Sequence, residues 1–90
     1  MKQNQAQVKE TIRVLVVDDH ASIRKGIRAV LDLVPDIDLV GEAENGIRAV
    51  KLEAELKPDV ILMDLMMPEM DGIACIKQIK SQQPKARILV

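Results

Sequence analysis

Asp18 and Asp19 stand side by side where the apolar run 12–17 ends, and Asp64 stands where a second run, 60–63, ends. Carboxylates gathered at one place repel, which raises the pKa of at least one of them unless a cation lies between them. Hard oxygen donors with room for a few waters suit Mg²⁺, which takes near-octahedral oxygen coordination. Three converging aspartates therefore read as an acidic, divalent-cation site concerned with phosphate. An aspartate at a strand end also commonly fixes the following turn through its side chain. For Asp18 alone that plainer reading stands level with the functional one. The two readings part on whether the runs carrying the acids are neighbours.

The positioning elements are legible from the period of the apolar residues. The run 12–17 (IRVLVV) and the run 60–63 (VILM) are short, continuous and rich in β-branched residues. Strands buried on both faces of a parallel sheet have this character. Between them, Ile23, Ile27, Val30, Leu31 and Val34 recur on one face of a helix that Pro35 ends. Leu39 and Val40 form the heart of a second strand, and Asn45 is placed as the N-cap of a second helix. Ile47, Val50 and Ala54 are expected to supply the buried face of that helix, which Lys57-Pro58-Asp59 breaks. Asp71 is the expected N-cap of a third helix with Ile73, Ile76 and Ile79 as its stripe, and Pro84 stops it. The residues 87–90 then open a fourth strand.

The order β-α-β-α-β-α-β implies an α/β fold with a parallel sheet and right-handed crossovers. In such open sheets, ligands bind outside the carboxyl ends of the strands, where strand order reverses. Neighbouring strands lie about 4.8 Å apart. If the first and third strands adjoin, all three aspartates meet.

Composition excludes several other classes. Ninety residues make one small domain or a piece of one, with no room for separate catalytic and binding domains. Thirteen Lys and Arg against fourteen Asp and Glu give a net charge of −1, without the basic footprint of a general nucleic-acid binder. The chain has no Phe, Trp or Tyr, so it lacks an aromatic platform for single-stranded nucleic acid. A single cysteine cannot form an intramolecular disulfide. No apolar run approaches the roughly 20 residues of a membrane-spanning helix, and residues 1–11 are polar, with no signal-peptide core. The expectation is a cytoplasmic domain over 12–90 behind a flexible lead-in over 1–11.

The segments IRVLVVDDH (12–20), VILMD (60–64) and MPEMDG (67–72), taken together, resemble the response-regulator receiver domain of two-component signalling. The Asp-Asp-His ending and the stretch from Pro35-Asp36-Ile37 to Val40-Gly41-Glu42-Ala43 are similar to receivers that precede a helix-turn-helix DNA-binding domain. The resemblance implies a flavodoxin-like three-layer sandwich with strand order 2-1-3-4-5. It implies that Asp64 accepts a phosphoryl group from a sensor histidine kinase. It assigns Mg²⁺ to Asp19, Asp64 and the backbone carbonyl of Met66, with Asp18 acting through water. Receivers continue through a Thr or Ser, a Lys-bearing fifth strand and two further helices, so the chain is expected to carry the N-terminal part of the domain. The module is expected to be regulatory and not a turnover enzyme, to meet DNA only through an output domain, and to contact no membrane. Its fourth strand, left as an edge, is expected to favour self-association.

Two rival readings stand beside this one. The first is an interaction module in which the acidic pocket is vestigial and unphosphorylated. The second is a phosphatase of the haloacid-dehalogenase kind, which wants an acid two residues after its nucleophile, where Met66 stands. His20 reads as a solvated or capping side chain, Cys75 as a small packing residue, and Gly26 as a point of close approach. Arg24, Lys25 and Arg28 read as a solvated face with some docking potential.

Overall fold

The structure is a computed structural model and describes residues 10–65 and 72–90. Four strands alternate with three helices: β1 (Ile12–Val17), α1 (Ala21–Leu31), β2 (Ile37–Ala43), α2 (Gly46–Leu56), β3 (Val60–Met63), α3 (Gly72–Gln82) and β4 (Arg87–Leu89). The strands form one parallel sheet in the order β2-β1-β3-β4. The first and third strands are therefore neighbours, as the convergence of the aspartates requires.

Side chains alternate across a strand, and β1 divides its residues accordingly. Leu15 and Val17 join Ile61, Met63 and Ala43 in a core closed by Ala49 and Leu52 of α2 and by Cys75 and Ile79 of α3. Val16 and Leu62 point to the opposite face, where they share a groove with Ile23 and Ile27 of α1. The result is three layers, with α1 on one side of the sheet and α2 and α3 on the other. Among the described residues, no helix is long and apolar enough to cross a membrane.

The buried helix faces differ from the expected stripes. In α2 they are Gly46, Ala49, Leu52 and Glu53, while Ile47 is exposed. In α3 they are Gly72, Cys75 and Ile79, while Ile73 is exposed. Small residues, absent from an apolar-only stripe, let the two helices approach. The Cys75 thiol reaches the Gly46 carbonyl at 3.7 Å. Glu53 is buried as well and accepts from Gln82 Nε2 at 3.0 Å, joining α2 to the end of α3. The α1 stripe has the expected phase but no residue of α1 is fully buried, and Val30 is 61% exposed. Gly26 has nothing near it, so close approach does not explain it.

Helix ends follow local chemistry. Asn45 Oδ1 accepts from the Arg48 N–H at 2.8 Å, which makes it the N-cap of α2. Lys57 ends the helix in the left-handed region, φ 47°, its N–H donating to Glu53 O. The helix α1 stops at Leu31, ahead of Pro35, with Asp32 as its C-cap. The expected cap Asp71 lies outside the described residues.

Gly41 is the one strand glycine whose missing side chain matters to packing. The β1–β2 register passes from Val14↔Leu39 to Leu15↔Gly41, so Val40 is an extra residue on β2. A Cβ at Gly41 would lie 2.8 Å from Leu56 Cδ1 and 3.3 Å from Leu15 Cδ1.

Candidate functional site

The site begins with strand register. Val17 pairs with Met63 across β1 and β3, so Asp18 and Asp64 follow side by side. Backbone bonds carry the pairing past the strand ends: the Asp64 N–H donates to Val17 O at 2.9 Å, and the Asp18 N–H donates to Ala43 O at 3.0 Å. Ligand atoms of Asp18, Asp19, His20 and Asp64 all lie within 4.8 Å of one another. The structure thus brings together the three aspartates singled out by their strand-end positions. Met66, the expected carbonyl ligand, lies outside the described residues.

Asp18 also does what the plainer reading asked of it. Its Oδ1 accepts from the His20 N–H at 2.8 Å, the two-residue side-chain turn that aspartate favours. Its carbonyl accepts from Arg24 Nη1 at 2.7 Å. Arg28 holds Glu42 through two nitrogens, at 2.8 and 3.1 Å, and Arg24 Nε lies 3.4 Å from the same carboxylate. These bonds join α1 to β2 and to the residues that follow β1. The expected solvated basic face is thus partly an ion-pair network. The hydrogen bond from Arg28 holds the Glu42 carboxyl below its ordinary pKa, against a smaller opposing effect of burial.

His20 is the residue that sequence reasoning undervalued. It occupies the N-cap position of α1, yet its side chain makes no capping hydrogen bond. The ring turns back to the carboxylates instead, with Nδ1 2.9 Å from Asp18 Oδ1 and 3.0 Å from Asp19 Oδ1. The hydrogen bond with Asp18 raises the His20 pKa above 6.5, and the charges of Asp19 and Asp64 act in the same direction. The available signal was adjacency: a donor that immediately follows two acids at a strand end has them within reach.

A cation suits this donor set. Asp19 Oδ1 is buried, and among the described residues it makes no hydrogen bond beyond its 3.0 Å ion pair with the His20 ring, which leaves it lone pairs to offer a cation. Asp18 and Asp19 side chains remain 14% and 26% exposed, so water can reach the cluster.

The model of the response regulator receiver domain matches residues 14–90. The chain belongs to the receiver family. This receiver is 51% identical over 79 residues to the transcriptional regulatory protein LiaR of Bacillus subtilis, covering 88% of this chain and 37% of that protein. It is 48% identical over 80 residues to the response regulator protein VraR of Staphylococcus aureus, covering 89% of this chain and 38% of the other. The chain therefore spans little more than a third of these curated relatives. Among solved structures, the response regulator domain of Thermotoga maritima CheB superposes with a TM-score of 0.84 at 44% identity, over 88% of this chain and 58% of that one. RcsB of Salmonella enterica bound to the promoter rprA superposes at 0.79 with 33% identity, over 87% and 66% of the two chains. Receiver relatives thus share the fold and about a third to a half of the aligned residues.

Proposed function

We propose that this receiver accepts a phosphoryl group on Asp64 from the phosphohistidine of a sensor kinase. The observation that carries the reading is the meeting of Asp18, Asp19 and Asp64 at the carboxyl ends of adjacent parallel strands. A carboxylate is a competent nucleophile for a covalent phosphoryl intermediate. As an Asp64 oxygen bonds to phosphorus, the P–N bond of the donor breaks, and its electron pair stays on the departing imidazole. An acyl phosphate remains on the receiver.

Asp19 and Asp64 would hold a divalent cation directly, with Asp18 assisting through water. Mg²⁺ is the ion that all-oxygen donors favour. The resemblance to receivers adds the carbonyl of Met66. When bound, the ion neutralises charge between the carboxylates and the incoming phosphoryl group. Asp18 also shapes the loop, since it holds the His20 backbone while Arg24 holds its own carbonyl.

The receiver unit is assigned to residues 12–90, in the cytoplasm, as a regulatory module whose signal passes to DNA through a separate output domain. The names of LiaR and of promoter-bound RcsB support that last step. The strand β4 pairs only with β3 among the described residues, and Leu89 is 58% exposed, which supports self-association along this edge.

The test uses acetyl phosphate as donor, with Mg²⁺ or with a chelator, on the wild-type chain and on Asp64→Asn. Labelling that needs both the metal and Asp64 is the expected result. Equal labelling of the variant would overturn the assignment, and no labelling of either would favour a bare interaction module.

A further inference from the structure

We propose that Arg24 is a positioning residue of the cation site: it ties the peptide between Asp18 and Asp19 to Glu42 of β2, so that both carboxylates are aimed before an ion arrives. The inference rests on the reading of Asp18, Asp19 and Asp64 as a cation site and names the residue that presets it.

A closed circuit of contacts carries the argument. Arg24 Nη1 donates to the Asp18 carbonyl at 2.7 Å, and Arg24 Nε lies 3.4 Å from Glu42 Oε1. Ala43 follows Glu42 along β2, and its carbonyl accepts from the Asp18 N–H at 3.0 Å. The circuit therefore leaves Asp18 by its carbonyl and returns by its N–H. The Asp18 carbonyl belongs to the planar peptide unit that ends at the Asp19 Cα. Holding that oxygen fixes the direction in which Asp19 leaves the strand, and losing the bond frees the plane to rotate. Arg28 anchors the far side, gripping the Glu42 carboxylate through two nitrogens at 2.8 and 3.1 Å. Arg24 is 19% exposed against 47% for Arg28, so water competes less for its bonds than at an exposed ion pair.

The arrangement calls for a guanidinium. Arginine presents its N–H donors in a rigid fork, whereas lysine is a point charge on a flexible stem. The fork meets the carbonyl with Nη1 while Nε faces Glu42. Charge alone acts the other way, because a positive group beside the carboxylates repels an incoming cation. Position and charge thus predict opposite signs when Arg24 is neutralised.

The test measures Mg²⁺ affinity by calorimetry, and the Mg²⁺ concentration that half-saturates acetyl phosphate labelling, for wild type, Arg24→Lys and Arg24→Gln. Gln82→Ala is the stability control, since it takes the donor from buried Glu53 on the opposite face of the sheet. Both Arg24 variants are expected to bind Mg²⁺ more weakly and to need more of it for half-saturation. The loss should be about tenfold in Arg24→Lys, the scale on which partners of metal ligands act, and at least about threefold in Arg24→Gln, where the lost charge offsets part of it. Gln82→Ala should lower the urea midpoint and leave the half-saturating concentration at the wild-type value. Unchanged or tighter Mg²⁺ binding in Arg24→Gln, or wild-type binding in Arg24→Lys, would overturn the proposal. So would an equal shift in Gln82→Ala, which would trace the effect to lost stability. If the wild type binds Mg²⁺ and the Arg24 variants match it, this inference alone falls and the aspartate site stands. If the wild type binds no Mg²⁺, the cation site is wrong and the inference falls with it.

Discussion

Gly72 opens α3 and meets Leu65, the residue after Asp64, directly. Its N–H donates to Leu65 O at 3.1 Å. A Cβ at position 72 would lie 2.4 Å from Leu65 Cα and 2.6 Å from Leu65 Cδ2. Carbon atoms settle at about 3.5–4.0 Å, so in Gly72→Ala the backbone at Leu65 must withdraw by about 1 Å. Flexing a side chain cannot relieve this contact, because the nearest atom is main chain. Overpacking of this kind costs about 1–3 kcal/mol, which lowers a urea midpoint by about 1 M for a small domain. Asp64 adjoins the displaced residue, and a shift of about 1 Å in a reacting group can cost up to about 100-fold in rate. The assay pairs urea unfolding with acetyl phosphate labelling, both against wild type. An unchanged midpoint with labelling within about threefold of wild type would refute the reasoning.

Three further outcomes follow from single contacts. The His20 ring should titrate above its ordinary 6.5 by NMR, and in Asp18→Asn that pKa should fall. Its stabilising contribution is fully present below pH 6.5 and is lost as pH rises through the folded-state value. Asn45→Ala removes the acceptor for the Arg48 N–H and should cost about 1 kcal/mol in thermal or urea unfolding. Burial pushes the Cys75 thiol up to about 11, so a thiol reagent at neutral pH should label it only as the chain unfolds.

Strand identity was legible because the runs 12–17 and 60–63 are apolar, β-branched and stopped by acids, whereas strand order came only with the resemblance to receivers. The N-cap Asn45 and the break at Lys57-Pro58-Asp59 were legible because capping and interruption by proline are local chemistry, while the left-handed turn at Lys57 was not. Helix faces were less so. A stripe drawn through Ile47 or Ile73 selects the largest apolar residues, whereas the buried faces of α2 and α3 include the small Gly46, Ala49 and Cys75, and the helices meet where the Cys75 thiol reaches the Gly46 carbonyl. The α1 stripe at Ile23 and Ile27 has the phase its spacing implies, but burial depends on what lies over it, and a local pattern does not contain that. The meeting of the aspartates followed once β1 and β3 were neighbours, which the apolar runs alone leave open. The turn of His20 toward them did not, because it depends on the Asp18 side chain taking the His20 N–H.

The central claim is that Asp64, among three clustered aspartates, carries the phosphoryl group. Borohydride reduces an aspartyl phosphate to homoserine and leaves a free carboxylate untouched, so the modified position survives digestion and can be read by mass spectrometry. After incubation with phosphodonor and Mg²⁺, homoserine is expected at position 64, with Asp18 and Asp19 unchanged. Homoserine at position 18 or 19, or none at any of the three, would contradict the account.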